Sequence, residues 1–197
     1  MTREANIQLK DENIQSIGPW TFDDLGHEHL RELRGAGVLA AWVGWWDARF
    51  ENTRLRVADT PYGKMLRHYF NDLGAGLGRA AGTFSHSSED SNDFVPTFTR
   101  SFRRFGELRI EFPDYEPIED NGAFKQITFD DARWMARLIA QFSEEQIRAG
   151  LKASGFSPAE TAIYARKLIS RRDQLLRDTR LTNEFSIFFC EGGAMGN

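Results

Sequence analysis

The sequence predicts an α+β fold, mainly helical, and three observations carry that prediction. Apolar residues recur at three- and four-residue steps from Leu30 to Trp45; short alternating runs flank the turn Asp59-Thr60-Pro61-Tyr62-Gly63; and the last third contains three helix-start signatures in succession. With 197 residues, 41% of them hydrophobic, the chain is long enough to bury one substantial core. One domain over residues 20–180 is therefore expected, between an arm at 1–19 and a tail at 181–197.

Residues 1–19 carry no clear period and read as an extended polar arm, closed by Gly18-Pro19. Thr21 with Asp24 resembles a capping box, but Gly26 delays the regular helix to about Glu28. From there Leu30, Leu33, Val38, Ala41, Trp42 and Trp45 lie on one helical face. Gly35 and Gly37 each weaken a helix by roughly 1 kcal/mol against alanine, so close packing or a break is expected there.

Leu55 and Val57 alternate with Arg54 and Arg56, and residues 65–70 are again extended in character, which makes 53–70 a β-hairpin. Residues 83–93 are polar and turn-rich; 94–112 read as a long loop with short strands. In that stretch Arg100, Arg103, Arg104 and Arg109 interleave with Phe98, Phe102 and Phe105. They read as a solvated face paired with Glu107 and Glu111, with a phosphate-rich ligand as the alternative. Thr128 with Asp131, Ser143 with Gln146, and Ser157-Pro158 with Glu160 start three helices, and Gly155 ends the second. Their apolar positions suit a small bundle packed on the preceding part.

Composition excludes several classes of function. A net charge of −4 supplies no basic field to attract nucleic acid or an anionic membrane. The longest apolar run, 38–46, is far shorter than the roughly 20 residues of a spanning helix, though peripheral contact with a membrane complex stays open. Cys190 is the one cysteine, so neither an intrachain disulfide nor a cysteine-rich zinc site is available, and residues 1–11 lack the apolar core of a secretory leader. A cytoplasmic location is expected.

The stretch richest in chemistry is Trp45-Trp46-Asp47-Ala48-Arg49-Phe50-Glu51-Asn52, followed by Asp72-Leu73-Gly74, Gly76 and Gly78. Phosphoryl transfer needs hard oxygen ligands for magnesium and a group to orient or deprotonate the acceptor hydroxyl. Asp72 and Asn52 have the chemistry of Mg²⁺ ligands and Asp47 that of the base, while the hairpin returns Asp72 toward Asp47 and Asn52. Gly74, Gly76 and Gly78 are candidates for a backbone nest around a phosphate, although they match neither a Walker loop nor the dinucleotide fingerprint. The plain alternative is that Asp47 bonds a turn, Asn52 fills a loop position, Asp72 steadies the glycine turn and the glycines form a flexible turn.

These residues resemble the lower lobe of protein-kinase-like folds, in particular the atypical bacterial and lipid-kinase-like branches. There a helix runs into an Asp-x-x-x-x-Asn loop, a hairpin follows, and an Asp-Phe-Gly or Asp-Leu-Gly turn closes the site. The helix with Arg31-Glu32-Leu33-Arg34-Gly35, the pair Asp47 and Asn52, and Asp72-Leu73-Gly74-Ala75 also look like a set of bacterial proteins with this arrangement. The resemblance spans residues 28–78 and extends through the helices to about 178. It implies a kinase-like C-terminal lobe: helix, catalytic-loop-like turn, hairpin and helical bundle.

The departures are equally specific. Trp46 stands where many kinases have arginine, no histidine lies two before Asp47, and the 46 residues ahead of Asp47 hold Lys10 alone among lysines, with no glycine-rich ATP-gripping lobe. The resulting expectation is a non-catalytic binding or structural subunit of a larger protein assembly, a pseudokinase in effect. The alternative is a Mg²⁺- and ATP-dependent phosphotransferase whose upper lobe is supplied by another chain or lies outside this sequence.

Outside that motif, His27 and His29 are spaced to face apart on a helix and are expected at the surface rather than on a metal. Ser85, His86 and Asp90 are too local for a nucleophile triad. Trp20, Trp42, Trp45 and Trp46 read mainly as core beneath the loop, with the remainder as a possible docking surface.

Overall fold

A computed structural model of the chain describes residues 15–73, 76–78, 100–115, 117–119 and 121–185. The sheet starts inside the segment read as an arm. β1 (Gln15–Gly18) pairs antiparallel with β2 (Thr53–Thr60), which pairs with β3 (Gly63–Phe70) in the order β1-β2-β3. The hairpin register runs from Thr53 opposite Phe70 to Thr60 opposite Gly63, so only Pro61 and Tyr62 lie in the turn. Gly63 takes φ +106°, a conformation the turn requires and a side chain would resist.

Strand alternation gives this sheet two unlike faces. Leu55 and Phe70 turn inward and pack against a cluster of Trp20, Phe22, Trp45 and Phe124. On the other face Arg56 stands opposite Arg67 and Arg54 opposite Tyr69, with the Arg56 guanidinium 5.3 Å from the Tyr69 ring centre. β3 is exposed along most of its length and forms an outer edge of the sheet among the described residues.

A 3-10 turn at Asp24–His29 leads into α1 (Arg31–Val43). Regular helix thus begins three residues later than the spacing predicts, because Leu30 is extended, at φ −76° and ψ 124°, and so ends the 3-10 turn and stands as the N-cap of α1. α1 is continuous. Its glycines mark close approach, since a Cβ on Gly35 would stand 2.5 Å from the Trp134 ring and one on Gly37 2.8 Å from Phe124.

β4 (Arg100–Arg104) and β5 (Glu107–Glu111) form a second hairpin, in which Arg100 pairs with Glu111 and Arg109 with Glu107 at 2.8 Å. These arginines are engaged by local acids, and Arg103 bonds the Gly106 carbonyl at 3.1 Å. After α2 (Gly122–Lys125), the helices α3 (Phe129–Ile139), α4 (Glu144–Ala153) and α5 (Pro158–Asp178) each begin with a complete capping box, on Thr128, Ser143 and Ser157. Gly155, at φ +84°, follows the end of α4.

Two apolar clusters share α1. Val38 and Trp42 pack with Ile139, Tyr164, Leu168 and Leu176 of the helical layer; Leu33 and Ala40 pack with the aromatics under the sheet. Fully burying such a large side chain contributes roughly 1.5–3 kcal/mol. Polar ties fix α1 further: Trp42 Nε1 donates to the Leu168 carbonyl at 2.9 Å, and Arg34 holds Asp131 through Nε at 2.6 Å and Nη2 at 3.1 Å. No helix described is long and apolar enough to cross a membrane.

Candidate functional site

The turn that carries Asp47 exists because α1 stops at Gly44. With φ +65°, Gly44 reverses the chain, and Trp45 N–H returns to the Ala40 carbonyl at 2.9 Å. Trp45 is then driven into the aromatic cluster, 3% exposed and edge-on to Phe70 at 5.2 Å between ring centres.

Every backbone carbonyl from Trp45 to Phe50 accepts a hydrogen bond. Tyr115 Oη reaches Trp45 at 2.6 Å, Ile118 N–H reaches Trp46 at 2.8 Å, and Asn121 Nδ2 reaches Ala48 at 2.8 Å. Asn52 serves two: its Nδ2 donates to the Asp47 carbonyl at 2.9 Å and its N–H to the Arg49 carbonyl at 3.0 Å. Thr53 N–H closes on Phe50. A turn anchored this completely is rigid, since buried carbonyls without partners would each cost free energy. Burial raises the pKa of the Tyr115 phenol far above its ordinary 10, so the group stays a hydrogen-bond donor.

Asp47 and Asn52 meet as the sequence suggests. Asn52 Nδ2 also donates to Asp47 Oδ2 at 2.9 Å, whereas Oδ1 is buried in an ion pair with Arg49 Nε at 2.9 Å and accepts no hydrogen bond. The Asp47 side chain is 15% exposed. Asp72 comes close through its backbone: Asn71 N–H pairs with the Asn52 carbonyl at 2.8 Å, and Trp45 Nε1 donates to the Asp72 carbonyl at 3.2 Å. The Asp72 side chain is exposed.

Gly76 and Gly78 fall in a short 3-10 turn whose Leu77 packs against the helical core. The Gly76 N–H is committed to the Leu73 carbonyl at 2.9 Å and so is not offered to a phosphate. Gly74 lies outside the described residues, as do Ser85, His86, Asp90 and Cys190. Among the described residues no three His, Cys, Asp or Glu side chains gather as they would around a metal.

A cleft of about 790 Å³ is lined in part by the anchors Tyr115, Ile118 and Asn121. Phe102, Arg104, Glu111, Tyr115, Lys125 and Ile127 help to line it, whereas Asp47, Asn52 and Asp72 do not. The concavity and the aspartate turn are therefore separate features that share Tyr115, Ile118 and Asn121.

A second polar cluster escaped the sequence reading. His27 is buried, 8% exposed, rather than at the surface; its Nδ1 faces the Thr21 carbonyl at 2.6 Å and its Nε2 faces His68 Nε2 at 3.1 Å. His29, by contrast, is exposed as expected. Burial, and then the neighbouring His27, lower the pKa of His68. The available signal was period-two alternation, which places His68 on the same face of β3 as Phe70.

Comparison with protein-family models, with curated proteins and with solved structures returns no match to this chain.

Proposed function

We propose that this chain is a non-catalytic binding or structural subunit of a larger protein assembly, built on a kinase-like lower lobe. The observation that carries the reading is the state of Asp47. A general base must keep a carboxylate oxygen open to the proton it removes. Here one oxygen is bound by Asn52 and the other is buried in an ion pair with Arg49, so neither is open to a substrate proton. That constellation works as a brace. The order of elements, helix then Asp-x-x-x-x-Asn turn, hairpin and Asp-Leu-Gly, supports the kinase-like ancestry.

For docking, the protruding hairpin offers exposed Tyr62, Met65 and Leu66 beside the arginine face. Native isolation with mass spectrometry tests the proposal. Recovery in a stoichiometric complex is expected, and purification as a lone monomer with no partner would overturn it.

One observation favours the competing reading, a Mg²⁺-dependent phosphotransferase completed by another chain. Asn71 N–H bonds the Asn52 carbonyl and Trp45 Nε1 the Asp72 carbonyl, so the Asp72 backbone runs close to the Asp47–Asn52 turn. On that reading ATP–Mg²⁺ binds the complete complex and Asp72→Ala abolishes binding; no binding by the complete complex rejects it.

A further inference from the structure

We propose that His27 and His68 form a two-histidine site for a divalent transition-metal ion, with solvent completing the coordination. The two residues lie 41 positions apart in sequence and come from different elements, the 3-10 turn at Asp24–His29 and strand β3. Their Nε2 atoms are 3.1 Å apart. Two zinc–imidazole bonds of about 2.0–2.1 Å meeting near the tetrahedral angle set their nitrogens roughly 3.3 Å apart, so the pair needs only a small opening to admit an ion.

The surroundings are those of a ligating histidine. His27 Nδ1 faces the Thr21 carbonyl at 2.6 Å, and since a carbonyl only accepts, Nδ1 carries the proton and the Nε2 lone pair points at His68. A backbone carbonyl on the other ring nitrogen is the usual device that fixes a ligand's tautomer and orientation. Trp20 holds both rings edge-on, at 5.4 Å from His27 and 5.2 Å from His68 between centres, so the buried ring cannot swing away.

Between the facing nitrogens there is now one proton, on His68 Nε2, donated to His27. When the ion enters, that proton passes through solvent to His68 Nδ1, both rings remain neutral, and each presents a lone pair. His68 is exposed, which gives the ion an entry path and leaves room for water ligands. Imidazole nitrogen selects zinc, nickel or copper(II) over magnesium and calcium, which prefer oxygen. A bound ion would fasten the turn after Trp20 to the outer strand of the sheet. The site is independent of the Asp47 turn and stands whether or not the proposed assembly role holds.

Zinc titration of the full chain by calorimetry, with thermal unfolding as a second readout, tests the site. One ion per chain, saturable and not displaced by magnesium, with a rise in Tm, is expected. His68→Ala removes an exposed ligand with little effect on the metal-free Tm. Loss of a ligand costs no less than loss of an outer partner, so affinity should fall roughly 10–100-fold or more. His68→Cys, which restores a zinc ligand, should recover the Tm rise, and His29→Ala should bind as the parent does. Absence of saturable binding, or binding unchanged in His68→Ala, overturns the proposal.

Discussion

The aspartate turn and the helical layer are both well ordered, yet they are held in opposite ways. Helices α3, α4 and α5 start on side chains three residues from the amides they cap. Half of the carbonyls of residues 45–50 are held by groups far along the chain: Tyr115, Ile118 and Asn121 stand about 70 residues from the carbonyls they bond. A structure made of local contacts can lose one at modest cost. A turn clamped from several distant elements fails as a unit, and only folding of the whole domain brings its clamps together.

The sharpest way to break this contrast is Trp45→Ala. It empties the site between sheet and turn, removes the Nε1 bond to Asp72 and should cost about 4 kcal/mol, within the usual range for truncating a buried aromatic. Equilibrium denaturation measures it, and a loss no greater than that of a helix cap would erase the distinction.

Asp131 is next, because there the two modes coincide. Its Oδ2 accepts from Thr128 N–H in the capping box and from Arg34 of α1. Asp131→Ala should cost about 3 kcal/mol, the lower end for breaking a buried pair, since Arg34 keeps some contact with water. Burial acts to raise the Asp131 pKa, but the hydrogen bonds from Arg34 and Thr128 and the Arg34 charge together hold it below the ordinary 3.8. With the folded value depressed, this stability is complete well above pH 3.8 and is lost as pH falls through 3.8 toward the folded pKa. Acid titration of stability should therefore flatten near and below pH 4 in Arg34→Gln.

Asn52→Ala should cost about 2 kcal/mol, because the Asp47 carbonyl and carboxylate both lose their donor. It should also loosen residues 45–50, visible as faster amide exchange there, with α4 and α5 unaffected. Spread of the change into α5 would show that turn and bundle are not separately held. Ser143→Ala, the smallest change, should cost about 1 kcal/mol and fray only the start of α4.

The same contrast explains what was legible in the sequence. Thr128, Ser143 and Ser157 each announce a helix within four residues, and the first hairpin declares itself through alternation around Pro61-Tyr62. Asp47 and Asn52 were readable as a pair because they lie five apart on one turn. Arg49 stood in the same motif, but nothing in spacing shows that it would pair with Asp47 rather than solvent. Tyr115 and Asn121 were invisible as anchors, since their partners are set by how α2 docks on α1, which Gly37 permits by lacking a side chain against Phe124. His27 was misplaced because Leu25 and Gly26 break the helical geometry on which the facing of His27 and His29 was reckoned.

The arginine face of the first hairpin carries a consequence for solubility. An outer strand whose far edge pairs with no other strand among the described residues, and with Met65 and Leu66 exposed, is a template on which a second copy can add its own edge. In a side-by-side pairing of two β3 strands, Arg67 of each copy would enter a cluster already holding Arg54 and Arg56. Like charges set opposite one another in a sheet oppose pairing. The guanidiniums thus act as gatekeepers against fibril-like stacking, and because exposed charges are screened over about 8 Å at physiological salt, their protection is finite. Arg67→Ser, or concentrated salt, should bring on self-association measurable by light scattering, while the parent chain in dilute buffer stays dispersed.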